Sequence, residues 1–596
     1  MPLRIGSIDV LHTSLLPLGL EKANYEGPKP GVTTLPKGFK KSSEHRGFNA
    51  PTIYERDVAI PLRDGTNLIG DVFRPANVTD KVPIILAYSP YGKTGQGFAD
   101  IDISPYHAGV PPNTLSGFQS FEAPDPAVWT AFGYAIVNVD ARGIFKSGGE
   151  HRWFGTAEGR DGYDTVEYLS QLSWCNGRVA LMGNSWLAGC QWFIGAERPP
   201  HLTAIMPLEG VSDLYRESLC RGGVPWKLFW QWLGSETFFG ENGGEDVIAM
   251  IDQYPLMNEY WEDKRAKSHL IQVPAYVLAS MSSSLHTVGS TRSYEDIPHA
   301  KKWLRIHPTQ EWYDLYQEDS ILDFKKFLDF YMKDIQNDWE QTPKVRVSVL
   351  RYNQDPIVNV PFFSWPVPEA VYRSLYLQDK GQLSSNTTAA EPIRTVSYQS
   401  DIPVLGMDAD SEEAEFRITF HETTTLIGAS KAILYMSSLD NDDMDVFVQI
   451  RKTDKSGKVL RHSNLPIAEL CQPADQDKDL FNVLQYTGPT GILRASHRAL
   501  DPVLSKPHWP AHDHSREVRI APGEIVKMEI GLWVSAMQFE AGEQLVFKVA
   551  GHHMLLAEFA DTRGKFANRN KGRHVLHFGG QYNSHIEVPL ITGALG

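Results

Sequence analysis

The chain has 596 residues, a formal net charge of -15, 42% hydrophobic residues and 22% charged ones. One hydrophobic core does not grow that large, so about two to four domains are expected. The acidic balance excludes a nucleic-acid surface, which needs clustered Lys and Arg. No apolar run reaches the roughly 18 residues of a spanning helix, so no membrane partner is expected. The first residues lack the long apolar core of a secretion signal. Cys175, Cys190, Cys220 and Cys471 are scattered without metal-ligand spacing. Together these features predict a cytoplasmic protein with reduced thiols, no metal and no cofactor.

Residues 1–50 are rich in Pro, Gly and Lys and read as an extended arm. Glu55 to Leu62 and Asn67 to Phe73 alternate around the turn Arg63-Asp-Gly-Thr66, which predicts a hairpin. Val82 to Tyr88 and Ala135 to Val139 are nearly continuous apolar runs, as parallel strands buried on both faces require. Tyr163, Val166, Tyr168 and Leu169 follow at roughly helical spacing. The order strand, helix, strand predicts a doubly wound α/β sheet.

The apolar run Val179 to Met182 leads into Gly183-Asn-Ser-Trp186 and then into small and apolar residues. This spacing predicts a strand, a sharp turn and a helix, with the Ser185 hydroxyl pushed out above the sheet. Ser185 is the candidate nucleophile, although Leu187 fills the place that glycine takes in G-x-S-x-G.

Residues 212–268 change character. Trp226, Phe229, Trp230, Trp232, Phe238, Phe239, Tyr254, Tyr260 and Trp261 fall at helix-like spacing and predict a helical cap over the carboxyl ends of the strands. Trp226, Trp230 and Phe239 are candidates for substrate binding; such rings also serve as a cap's own core. The sheet pattern resumes at Val273 to Ala279 and at Lys302 to Ile306, with a helix over Asp319 to Met332. From residue 343 onward many short strands separated by turns predict a β-sandwich or jelly roll.

These stretches, in this order, resemble the cocaine-esterase / X-prolyl dipeptidyl-peptidase family of serine hydrolases. The resemblance runs from about residue 55 to the end. It rests on Ile60-Pro-Leu-Arg-Asp-Gly-Thr66, Asp71-Val-Phe-Arg-Pro75, Ser89-Pro-Tyr-Gly-Lys93, Asp140 to Glu150, Asp161-Gly-Tyr-Asp164, Trp174 to Val179, the Ser185 turn and Phe539-Glu-Ala-Gly542. It implies an α/β-hydrolase domain at 51–211 and 269–342, a helical cap at 212–268 and a jelly roll at 343–596. In the family the turn reads G-x-S-[YW], so Leu187 is ordinary, while Ala188 stands where glycine is common. The resemblance also implies an oxyanion hole made by the Tyr91 hydroxyl and the Trp186 N–H, with Asp140 and Arg142 holding the neighbouring loop. Relatives are often oligomeric, so a homo-oligomer is among the expectations.

The sequence departs from the family where the triad should be completed. The family's acid lies in a W-Y-D stretch after the strand equivalent to Val273–Ala279. Here the stretch reads Ser280-Met-Ser-Ser-Ser-Leu-His286, with Ser283 or Ser284 at the acid position. The family's histidine lies in G-P-W-x-H. Here His307-Pro-Thr-Gln-Glu311 puts His307 at the glycine and Glu311 at the histidine.

Three arrangements remain open. His307 could serve Ser185 as base with Glu311 orienting it. Alternatively His286 is the base and Glu311 supports it, histidine and carboxylate having exchanged loops. In the third there is no hydrolytic triad. His286, His307 and Glu311 could also be three metal ligands, but lack helical H-x-x-x-H pairing.

The leading expectation is an acyl hydrolase of a small, fairly apolar ester or amide, working through an acyl-enzyme. The alternatives are a lyase, cyclase or isomerase of secondary metabolism on the same scaffold, or a silent binding protein.

Overall fold

The computed structural model describes residues 3–97, 99–283, 285–352, 354–402, 412–465, 484–554, 566–593 and 595. Ser284 and Cys471 lie outside the described residues.

The larger part of the molecule is built on one mixed sheet. Its strands are β1 (Gly31–Leu35), β2 (Thr52–Pro61), β3 (Asn67–Pro75), β4 (Val82–Ser89), β5 (Ala135–Asp140), β6 (Cys175–Asn184), β7 (Leu202–Leu208), β8 (Ala275–Ser280), β9 (Lys302–His307), β10 (Val345–Val349) and β11 (Ile357–Phe362). They lie in the order β11-β10-β9-β8-β7-β6-β4-β5-β3-β2-β1. From β10 through β4 to β5 every pair is parallel, and both edges are antiparallel. The apolar runs explain the burial. Ile84 and Leu86 of β4 enter the core on one face, and Ile85 enters the core on the other. Helices cover both faces, including α1 (Gly155–Ser170), α2 (Trp186–Glu197) and, later in the chain, α4 (Thr287–Asp296), α5 (Glu311–Tyr316) and α6 (Glu318–Lys333). The chain reverses its direction of travel across the sheet around β4, so the β4 and β6 ends face the crevice where doubly wound folds bind ligands.

Residues 212–268 form a π-turn at Leu214–Leu219, the helix α3 (Leu228–Glu236) and further short helices. The N-terminal arm is tied to this region. His12 and Thr13 pair with Glu245 and Gly244, and the Leu16 N–H donates to the Phe238 carbonyl. The arm also supplies β1, an edge strand of the large sheet.

Strand β10 was expected to open the jelly roll. It instead pairs with β9, with Leu304 opposite Val345, and β11 follows it. Alternation alone cannot say which sheet a strand joins. The second large sheet begins at Val371–Gln378. Its longest pair joins Thr424–Ser438 to Val526–Phe539. Leu350 stitches the two sheets together, donating to the Ala536 carbonyl and accepting from the Gln538 N–H. Among the described residues no helix is long and apolar enough to cross a membrane.

Candidate active site

Ser185 sits between β6 and α2 with φ 52° and ψ -115°. A non-glycine residue in that region costs on the order of 1–3 kcal/mol, so the surroundings must hold it. They do so through the Ser185 N–H, which donates to the Glu209 carbonyl at 2.7 Å, and the Asn184 N–H, which donates to the Glu122 carbonyl at 3.1 Å. The tightness of the turn accounts for its small residues. A Cβ on Gly183 would meet Leu187 Cβ at 2.6 Å. Ala188, placed where the family favours glycine, is accommodated from the other side, because its Cβ lies against the bare Cα of Gly210.

Trp186 is the first residue of α2, so its backbone N–H has no acceptor within the helix. Its indole N–H donates to Glu158 at 2.9 Å, and burial pushes the Glu158 carboxyl up to about 8 despite that bond. Tyr91 follows β4, is buried, and donates its N–H to Ser89 Oγ. Its loop is anchored by the Lys93 N–H donating to Asp140 at 2.6 Å and by Lys93 Nζ bridging Asp57 and Asp71. Arg142 is held by Asp161 through two bonds of 2.7 Å. Asp140 and Arg142 are thus parts of the support around the turn.

The histidines separate. His286 stands at the N-terminal end of α4 and is 3% exposed. Its Nδ1 stands 2.8 Å from Glu311 Oε2, at the first turn of α5, whose preceding residue Gln310 caps the helix. His307 closes β9 and is fully enclosed by other partners. Its Nε2 meets Glu209 Oε1 at 2.5 Å, and its Nδ1 meets Thr309 Oγ1 at 3.2 Å and Asp314 Oδ1 at 3.8 Å. Burial opposes the charged imidazolium, but Asp314 and Glu209 outweigh it and hold His307 above its ordinary value. The arrangement with Glu311 orienting His307 is therefore corrected: Glu311 faces His286, and the partners of His307 are Glu209 and Asp314.

Sequence reasoning missed Glu209, Asp314 and Phe238. Glu209 lies just past β7, and the register that sets Leu208 beside Asn184 brings it next to Ser185. It is fully buried with φ 69°, and its Oε2 has no hydrogen-bond partner among the described residues. Burial raises its pKa, an effect that His307 partly offsets. Glu209, His286 and Glu311 bring ligand atoms within 4.8 Å of one another. That set, rather than one containing His307, is the group with donors suited to a divalent cation.

Among the described residues, Phe238 is the cap ring that approaches both Trp186, at 5.3 Å, and Tyr91, at 6.2 Å. Phe239, expected to contact substrate, packs on Phe145 instead. Neighbouring residues in extended chain point to opposite sides, and that one-residue shift separates the two rings. Trp230 is buried, donates to Ser218 Oγ and meets Trp153, which in turn packs on Trp186. Trp226 stacks on Phe229 and on Phe566 of the C-terminal domain, away from the Trp186 cluster.

The crossover sheet, the strained serine turn and the appended β-sheet domain define an α/β-hydrolase of the serine-hydrolase class. Residues 64–246 match the X-Pro dipeptidyl-peptidase (S15 family) model, and residues 337–587 match the X-Pro dipeptidyl-peptidase C-terminal non-catalytic domain. The chain belongs to this cocaine-esterase / X-prolyl dipeptidyl-peptidase family.

The cocaine esterase of Rhodococcus sp. is 31% identical over 195 residues, 33% of this chain and 27% of that protein. The aligned stretch thus spans about a quarter of that relative. A CocE/NonD family hydrolase from Staphylococcus aureus superposes with a TM-score of 0.81 at 29% identity, covering 94% of this chain and 97% of that one. An aminopeptidase from a marine sediment Thaumarchaeota archaeon shares the fold, with a TM-score of 0.67 at 17% identity over 90% of this chain and 97% of its own.

Proposed function

We propose that this protein is a serine-type acyl hydrolase of a small, fairly apolar ester or amide. The observation that carries the reading is the His286–Glu311 pair beside Glu209, the residue whose carbonyl holds the Ser185 N–H. His286 takes the Ser185 hydroxyl proton as the oxygen attacks the substrate carbonyl. The Glu311 carboxylate, 2.8 Å from Nδ1, stabilises the imidazolium that forms by its charge. The Tyr91 hydroxyl and the Trp186 N–H donate to the oxyanion. Collapse of the tetrahedral adduct expels the alcohol or amine, which takes its proton from His286. Water, deprotonated by His286, then attacks the acyl-enzyme and releases the acid.

The walls of Phe238, Phe121 and Trp312 around Tyr91 favour an acyl group with a ring or a compact apolar body. The name of the related cocaine esterase supports esters as the first class to assay. The test is hydrolysis of p-nitrophenyl acetate, benzoate and phenylacetate by the wild type and by Ser185→Ala. Turnover of at least one ester, abolished in Ser185→Ala, is expected; turnover that survives the substitution overturns the acyl-enzyme.

One observation favours a second reading. The convergence of Glu209, His286 and Glu311, with Glu209 Oε2 unsatisfied, suits a divalent cation that would activate water directly. In that reading His286 is a ligand and cannot be the base for Ser185.

A further inference from the structure

A cavity of about 130 Å³ lies where the cap, α4 and the C-terminal domain meet. Neither Ser185, Tyr91 nor Trp186 lines it. Its walls combine a flat apolar lining with charge. Trp509 and Trp533 supply the lining, together with Val288 and Ile492. Trp509 lies close over Gly531, where an added Cβ would stand 3.2 Å from the indole.

The charges on the wall are almost all matched. Arg216 holds Asp213 at 3.1 Å, Arg292 holds Glu217 at 2.8 Å, and Lys506 holds Asp296 at 2.9 Å. Arg221 is the exception. It donates to the carbonyl and hydroxyl of Thr490 and lies over Trp533 at 4.6 Å, yet no carboxylate pairs with it among the described residues. Arg221 is half-buried, and the water it does lose, with no counter-charge in its place, pushes its pKa down to about 9. An anion placed beside it would supply that counter-charge.

We propose that this cavity binds a small aromatic carboxylate, with its carboxylate on Arg221 and its ring against Trp509. The site is separate from the Ser185 centre and does not depend on the hydrolase reading. Three residues of α4 (Val288, Arg292 and Asp296) line the cavity, and His286 immediately precedes the same helix.

The test is calorimetric titration of the full chain with phenylacetate, using Ser185→Ala so that the candidate catalytic centre is not turning over. One-to-one binding is expected. A charge-assisted pair to a carboxylate is worth enough that Arg221→Gln should weaken binding by roughly tenfold or more. Phenylacetamide should be weaker than phenylacetate by a similar factor. Leu504→Trp, which fills the cavity and leaves Arg221 in place, should also abolish binding, and it serves as the test if Arg221→Gln does not fold. Failure of phenylacetate to bind, or undiminished affinity in either folded variant, overturns the proposal. Binding of inorganic phosphate in place of phenylacetate also overturns it.

Discussion

His286 Nδ1 stands 2.8 Å from Glu311 Oε2, and each residue comes from the loop in which the family carries the other's chemistry. Histidine follows β8, where the family has its aspartate, and glutamate follows β9, where the family has its histidine. A base and its orienting carboxylate need only meet beside the nucleophile, so in the proposed mechanism the exchange of loops would keep that relationship while removing both motifs.

The two histidines should therefore respond differently to substitution. In His286→Gln, kcat/KM for an ester should fall by roughly 10²–10⁴, as for loss of a general base, with a smaller loss of stability than in His307→Gln, whose ring is held on both nitrogens. His307→Gln breaks a buried pair and leaves Glu209 without its imidazole, while Asp314 keeps Arg305, at a cost of roughly 3–5 kcal/mol of stability. Thermal melting and steady-state kinetics on both variants check this; equal stability loss in the two would contradict the assignment.

Tyr91→Phe removes one oxyanion donor and keeps the ring among Phe121 and Phe238. A loss of roughly 10²–10³ in kcat at nearly constant KM is expected. A rise in KM alone would instead make Tyr91 a binding residue.

The buried histidines set a pH limit on stability. His151 packs among Trp153, Trp186 and Phe238, and burial first, then Arg152, holds it down to about 3. Its folded pKa is below its unfolded one, so the unfolded chain binds the extra proton between about pH 3 and 6.5. Stability is present above that window and is lost as the pH falls through it. His151→Phe should flatten the acid side of the stability–pH curve by about 1.4 kcal/mol per pH unit, one proton's worth. Urea unfolding at pH 7, 6 and 5 measures the slope. His462 and His512, held down to about 4, and His553 and His574, held down to about 3, all chiefly by burial, should contribute further acid sensitivity.

Metal dependence separates the two readings of the Glu209–His286–Glu311 group. In the triad reading, exhaustive chelation leaves esterase activity unchanged and added Zn²⁺ inhibits by occupying His286. Glu209→Gln then weakens that inhibition. Loss of activity on chelation, restored by a divalent ion, would favour the metal reading.

Much of the hydrolase sheet was legible because parallel strands buried on both faces leave continuous apolar runs, as in Val82 to Tyr88. The Ser185 turn was legible from its small residues. What the sequence did not disclose is set by contacts between distant segments. Glu209 carries no motif; it reaches Ser185 only through the β6–β7 register, and its one signal is a charged residue at the end of an otherwise apolar strand.

Of the two pairings that the sequence left open for Glu311, the fold makes the one with His286, although His307 is only four residues away. In the fold, α5 begins between them, turning Glu311 toward α4 and bringing Asp314 back to His307. Phe238 and Phe239 show the same limit at one-residue scale, since composition marks an aromatic cap without telling which ring faces the turn. The placement of β10 shows it for whole strands.

The most direct test of the account is labelling with a fluorophosphonate probe, followed by peptide mass analysis, in the wild type, His286→Gln and His307→Gln. The account predicts stoichiometric modification at Ser185 in the wild type, strongly slowed labelling in His286→Gln, and labelling in whatever fraction of His307→Gln folds. No modification of Ser185 in the active wild type, or labelling indifferent to His286, would contradict it.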